Sequence, residues 1–87
     1  MLLEVEIGEV DDFFAHPLVA GVRLTGPLRI GDKIRISGHT THLIIDVDSM
    51  QINNHPVTEA KAGDSVGIKV PDRVRHKDTV YLIQEEL

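Results

Sequence analysis

Apolar and polar residues alternate along most of this chain with a period of two. Ala20, Val22 and Leu24 alternate with Gly21, Arg23 and Thr25, and Ile34 and Ile36 alternate with Lys33, Arg35 and Ser37. That period sends one set of side chains to a buried face and the other to water, as in a half-buried strand. Between the two runs lie Gly26-Pro27 and Gly31-Asp32. Proline has no amide hydrogen for a ladder, and glycine admits the angles of a turn. Val19 to Ser37 therefore reads as a hairpin of two strands joined by a loop.

The same pattern recurs on either side. Leu3, Val5 and Ile7 form a first strand, and the slip in phase at Gly8 predicts a β-bulge. Asp11 to Pro17 reads as a loop, with a phenylalanine of the Phe13-Phe14 pair plugging one barrel end or, if exposed, anchoring a partner. His42 to Ile52 reads as one long strand with a bulge or bend near Asp48-Ser49. Asn53-Asn54 suits a two-residue hairpin turn, since asparagine tolerates positive φ, and Pro56-Val57 begins a short return strand. Glu59 to Asp64 is a turn whose rhythm, Ala60-Lys61-Ala62-Gly63-Asp64, repeats that of Leu28-Arg29-Ile30-Gly31-Asp32. Val66, Ile68 and Val70 alternate with Gly67 and Lys69, Arg73 to Asp78 is a basic turn, and Val80 and Leu82 mark the last strand before a frayed Glu85-Glu86-Leu87. Six or seven short strands and no helical period predict an all-β barrel or sandwich, one domain over residues 1–87.

Composition narrows the class. The 87 residues include no cysteine, which excludes a disulfide scaffold and thiolate metal sites and fits the cytoplasm. No apolar run is long enough to span a membrane, and the acidic start Met1-Leu2-Leu3-Glu4-Val5-Glu6 does not suit a signal peptide. Net charge is −5, which opposes strong non-specific binding of nucleic acid. The charge is uneven: the five acids of residues 1–22 have no Lys or Arg among them.

Enzymatic chemistry finds little to stand on. Gly26 to Lys33 brushes the phosphate-loop spacing, but Asp32 stands where lysine is required and no helix follows, so nucleotide hydrolysis is excluded. His16, His39, His42, His55 and His76 read as solvated residues in or beside loops, not as ligands of a metal. Ser37, Ser49 and Ser65 stand in no nucleophile elbow. The expectation is a non-catalytic chain with no cofactor. Its most useful polar pattern is basic: Arg23, Lys33, Arg35 and Lys69 on outer strand faces, and Arg73, Arg75 and Lys77 in one turn. Together they would make a phosphate-binding patch; apart, they are ordinary solvated side chains.

Ala20-Gly21-Val22, the Leu28-x-Ile30-Gly31-Asp32-x-Ile34-x-Ile36 run and Ala62-Gly63-Asp64-x-Val66-Gly67-Ile68 resemble the second domain of translation GTPases such as elongation factor Tu and bacterial initiation factor two. Met50-Gln51-Ile52 and Pro56-Val57-x-Glu59-Ala60 are still more similar to the C-terminal barrel of the collagenase-like peptidase family, some of whose members are linked to RNA hydroxylation. The resemblance implies a closed six-stranded Greek-key barrel. It implies structural roles for Gly21, Gly31, Asp32, Gly63, Asp64 and Gly67, and no catalytic ones. Arg75-His76-Lys77-Asp78 departs from the Arg-x-Gly-Asp of those families, which predicts a turn of different build. The function so implied is a stand-alone module binding RNA or a ribosome-associated partner. The alternative is a protein-interaction module whose partner supplies a catalytic domain.

Overall fold

In the computed structural model, which describes residues 1–85, ten strands and no helix are present among the described residues. They are β1 (Leu2–Ala15), β2 (Leu18–Leu24), β3 (Leu28–Arg29), β4 (Lys33–Ser37), β5 (His42–Asp46), β6 (Met50–Ile52), β7 (His55–Val57), β8 (Glu59–Ala60), β9 (Ser65–Lys69) and β10 (Thr79–Glu85). Eight of them form one antiparallel sheet in the order β5-β4-β10-β1-β2-β9-β6-β7, and β3 pairs with β8 in a small ribbon. Fraying expected at Glu86-Leu87 lies outside the described residues.

Alternation decides the inner face. Ala20, Val22 and Leu24 of β2, Ile34 and Ile36 of β4, Val66 and Ile68 of β9, and Val80 and Leu82 of β10 join one buried cluster. Their neighbours Gly21, Arg23, Arg35, Gly67, Lys69 and Tyr81 fall at the opposite parity. β1 runs the length of this core because two bulges bend it, one between Glu6 and Gly8 against β10 and one between Val10 and Asp12 against β2.

Several expectations need correction. Asp11 to Ala15 is strand, not loop; β1 reaches β2 through a His16-Pro17 turn with a cis peptide bond. The run from Val19 to Ser37 is not a hairpin, because β2 pairs with β1 and β9 while β4 pairs with β10 and β5. The loop between β2 and β4 holds a strand of its own, β3, and carries the chain to the far side of the sheet. His42 to Ile52 breaks into β5 and β6 where buried Val47 and Met50 disrupt the alternation. The expected six-stranded ring is not what the ladders draw: their order ends at β5 on one side and β7 on the other. Between those edges the Gly31 turn bridges the gap with isolated bonds: Gly31 N to Val47 O and Val47 N to Asp32 O, both at 2.8 Å, on one side and Ile30 N to Thr58 O at 3.0 Å on the other. Asn53 and Asn54, at φ of 50° and 64°, turn β6 into the edge strand β7, where Pro56 withholds no bond from a central ladder.

Three turns share one plan. Asp32 N donates to Arg29 O at 3.1 Å, and Arg29 N donates to Asp32 Oδ2 at 2.9 Å. Asp64 and Lys61 repeat both bonds at 3.0 Å, and Asp78 and Arg75 repeat them at 3.0 and 2.8 Å. The residue before each aspartate has positive φ: 95° at Gly31, 96° at Gly63 and 75° at Lys77. Each turn then docks on a buried apolar residue by two backbone bonds, to Val47, Leu24 and Val10 respectively. The Lys77 turn is therefore built like the others. Its lysine accepts a left-handed backbone that glycine would enter at less cost.

Candidate functional site

The outer face of β1, β2, β9 and β6 carries a groove of about 520 Å³. Ladder register explains it. Gln51, Gly67, Gly21 and Asp12 stand side by side across the four strands, so the middle of the row has no side chains. One step along, Phe14 and Val19 lie opposite each other and raise a wall. The walls lean over the floor. A Cβ on Gly67 would meet Gln51 Cγ at 3.2 Å and Val19 Cγ1 at 3.3 Å, and one on Gly21 would meet Asp11 Oδ1 at 3.0 Å. Asp11 is the extra residue of the second β1 bulge, which is why two adjacent carboxylates reach the same side. Asn53 and Asn54 line the far end.

Phe13 and Phe14 divide the roles foreseen for the pair. Phe13, in register with Ala20, packs against the core, whereas Phe14 is 54% exposed and lines the groove.

The basic residues are distributed over three places. Lys33 and Arg35 stand on β4 and face acids: Lys33 Nζ lies 3.8 Å from Asp46, and Arg35 is bonded to Glu4 at 2.6 Å while stacking 4.6 Å from the Tyr81 ring centre. Arg23 on β2 is in register with Glu9 and Ser65, and Lys69 on β9 with Val19. Arg73, Arg75 and Lys77 occupy the connection from β9 to β10, pinned by the buried Val74. There Arg73 sits 5.7 Å from the Phe13 ring centre and Arg75 Nε donates to Thr40 Oγ1 at 2.8 Å. Three strands separate β4 from β9 in the sheet, so the strand-borne cations do not form one continuous row. Among the described residues no group of three or more His, Cys, Asp or Glu is placed to hold a metal ion. No helix there is long and apolar enough to cross a membrane.

Sequence reading singled out Gly21 and Gly67 but did not join them. The available signal was two glycines at outward parity in separate strands; their pairing depends on a register that local pattern does not give.

No family model matches the chain. It is 44% identical over 85 residues, 97% of its length, to a protein of Methanocaldococcus jannaschii named as an uncharacterized protease, of which it spans 21%. It is 32% identical over 80 residues, 90% of its length, to a Porphyromonas gingivalis collagenase, of which it spans 19%. The chain thus corresponds to about a fifth of the curated relatives it matches. Its fold is that of the C-terminal domain of a Geobacillus thermoleovorans protein described as a U32 peptidase, with a TM-score of 0.83 at 15% identity, covering 88% of this chain and 90% of that one. A selenomethionine variant of the same domain gives 0.82 at 15% identity, covering 87% and 96%.

Proposed function

We propose that this chain is the accessory β-module of a collagenase-like, U32-type peptidase protein, and that it serves recognition while a separate domain supplies catalysis. One observation carries the reading: 44% identity extends over 97% of this chain but over only 21% of the relative. A match over nearly the whole of this chain to a fifth of a longer protein supports the module reading, as does the peptidase name carried by a solved domain of the same fold. The cysteine-free composition is in keeping with a cytoplasmic module.

The second reading, RNA binding by a translation-factor-like barrel, keeps one support. Arg73 and Arg75 are engaged with Phe13 and Thr40 instead of carboxylates, so the basic turn retains its charge for phosphate. Against it, Lys33 and Arg35 are already balanced by Asp46 and Glu4. Affinity capture from native lysate, with and without ribonuclease, separates the two. The expected result is a ribonuclease-resistant partner identified by mass spectrometry as a peptidase-family catalytic chain. Partners lost on ribonuclease treatment would overturn the module reading in favour of RNA.

A further inference from the structure

The groove over Gly21 and Gly67 has a shape and a charge that the accessory-module reading does not use. We propose that it binds an extended polypeptide segment, clamping an arginine side chain between Phe14 and the Asp11-Asp12 carboxylates. The inference deepens the module reading and rests on it only in taking polypeptide as the partner.

Charge chooses the ligand's sign. The ionisable groups lining the groove are Asp11, Asp12 and His16, and no lysine or arginine is among them. Neither aspartate belongs to an ion pair among the described residues. Asp12 Oδ1 accepts the Phe13 amide at 2.8 Å, which fixes that carboxylate beside the floor. Lys69, opposite Val19, and Arg23, opposite Ser65, stand on the same outer face beyond either end of the floor, so the pull on a cation is local to the Asp11-Asp12 side, where no basic residue lines the groove.

Shape and chemistry choose arginine. An exposed phenyl ring beside two carboxylates offers a flat guanidinium both a face to stack on and oxygens to bond. A lysine ammonium uses the second and gains less from the first. The remaining wall is amide: Gln51, Asn53 and Asn54. Each primary amide both donates and accepts, which matches the alternating groups of an extended peptide backbone. Side chains of Gln51, Val19 and Asp11 close over the glycine floor to within 3.0–3.3 Å of where a Cβ would stand, so the peptide backbone would run along these side chains, in a groove open to solvent.

The test uses the full chain, labelled with nitrogen-15. It is titrated with a capped Ala-Gly-Arg-Gly-Ala peptide, the same peptide with glutamate for arginine, and an oligouridylate. The arginine peptide is expected to shift the Phe14, Gly21 and Gly67 amides, and the other two to leave them in place. Asp11→Asn with Asp12→Asn should weaken binding by about tenfold, and Phe14→Ala by about fivefold. Asparagine at position 12 keeps the acceptor for the Phe13 amide, so the double variant retains its fold, which the dispersion of its own spectrum verifies. No shifts at about 1 mM arginine peptide would overturn the proposal. Equal binding of the glutamate peptide, shifts confined to another face, an unchanged double variant, or groove shifts produced by oligouridylate would do the same. Failure of the capture experiment with these shifts intact would remove the module reading alone, and the converse would remove the groove alone.

Discussion

The turn at Arg29–Asp32 and the turn at Arg75–Asp78 make the same four backbone and carboxylate bonds, yet they differ in what surrounds them. In the first, a Cβ on Gly31 would meet nothing within 4 Å, and Asp32 is only half-buried. In the second, Asp78 is 5% exposed and its carboxylate lies against Gly38 so closely that a Cβ there would collide with it. The first turn is a local device that closes itself. The second is a joint: it holds β10 to β1 through Val10, seats Val74 in the core, and leans on the connection between β4 and β5. A shared local plan thus carries very different weight according to burial.

The largest test of that difference is Gly38→Ala. The added methyl displaces the Asp78 carboxylate, a short, buried side chain anchored to the Arg75 amide. A loss of about 3 kcal/mol is expected, the cost of steric displacement together with an unmade bond at a buried site. Gly31→Ala, placed in open space, should cost about 1 kcal/mol, from its positive φ alone. Urea denaturation of both variants measures the gap; equal losses would mean that the Asp78 joint is no more constrained than the exposed turn.

Removing the carboxylates gives the next largest effect. Asp78→Ala leaves the part-buried Arg75 amide without its acceptor and should cost about 2 kcal/mol, whereas Asp32→Ala exposes the Arg29 amide to water and should cost about 1 kcal/mol. Asp78→Asn, which keeps an acceptor oxygen, should recover part of the loss. Were Asp32→Ala the more damaging, burial would not be what ranks these turns.

Much of this was legible in the sequence because it is local. The period of two assigned inner and outer faces of β2, β4, β9 and β10, and the two Gly-Asp pairs marked their turns. Asn53-Asn54 marked its hairpin for the same reason: φ preference is a property of single residues. What local pattern cannot contain is partner choice. Nothing within Val19–Ser37 tells β2 to leave β4 for β9, or brings Gly21 beside Gly67 and so opens the groove. The Asp11–Ala15 stretch misled for a related reason: its bulge puts two acids in succession, which reads as loop until β2 is there to pair with it. Whether the cations stand together or apart was left open for the same reason: Glu4 meets Arg35 only across the sheet.

Lys77 offers the smallest effect and the sharpest contrast between the turns. At φ 75° its backbone occupies a region where a Cβ is disfavoured by about 1 to 2 kcal/mol. Replacement by glycine relieves that cost but frees the unfolded chain, which returns about 0.4 to 1 kcal/mol. Lys77→Gly should therefore stabilise by about 0.5 kcal/mol net, a rise in Tm of a few degrees for a chain of this size. The same substitution at a turn that already holds glycine has nothing to gain, so the difference belongs to this position alone. If Lys77→Gly instead destabilises, the lysine stem makes a packing contribution larger than its backbone cost. If it stabilises and also weakens RNA capture, a charge kept at the expense of stability would argue that the basic turn serves phosphate, and the second functional reading would gain over the first.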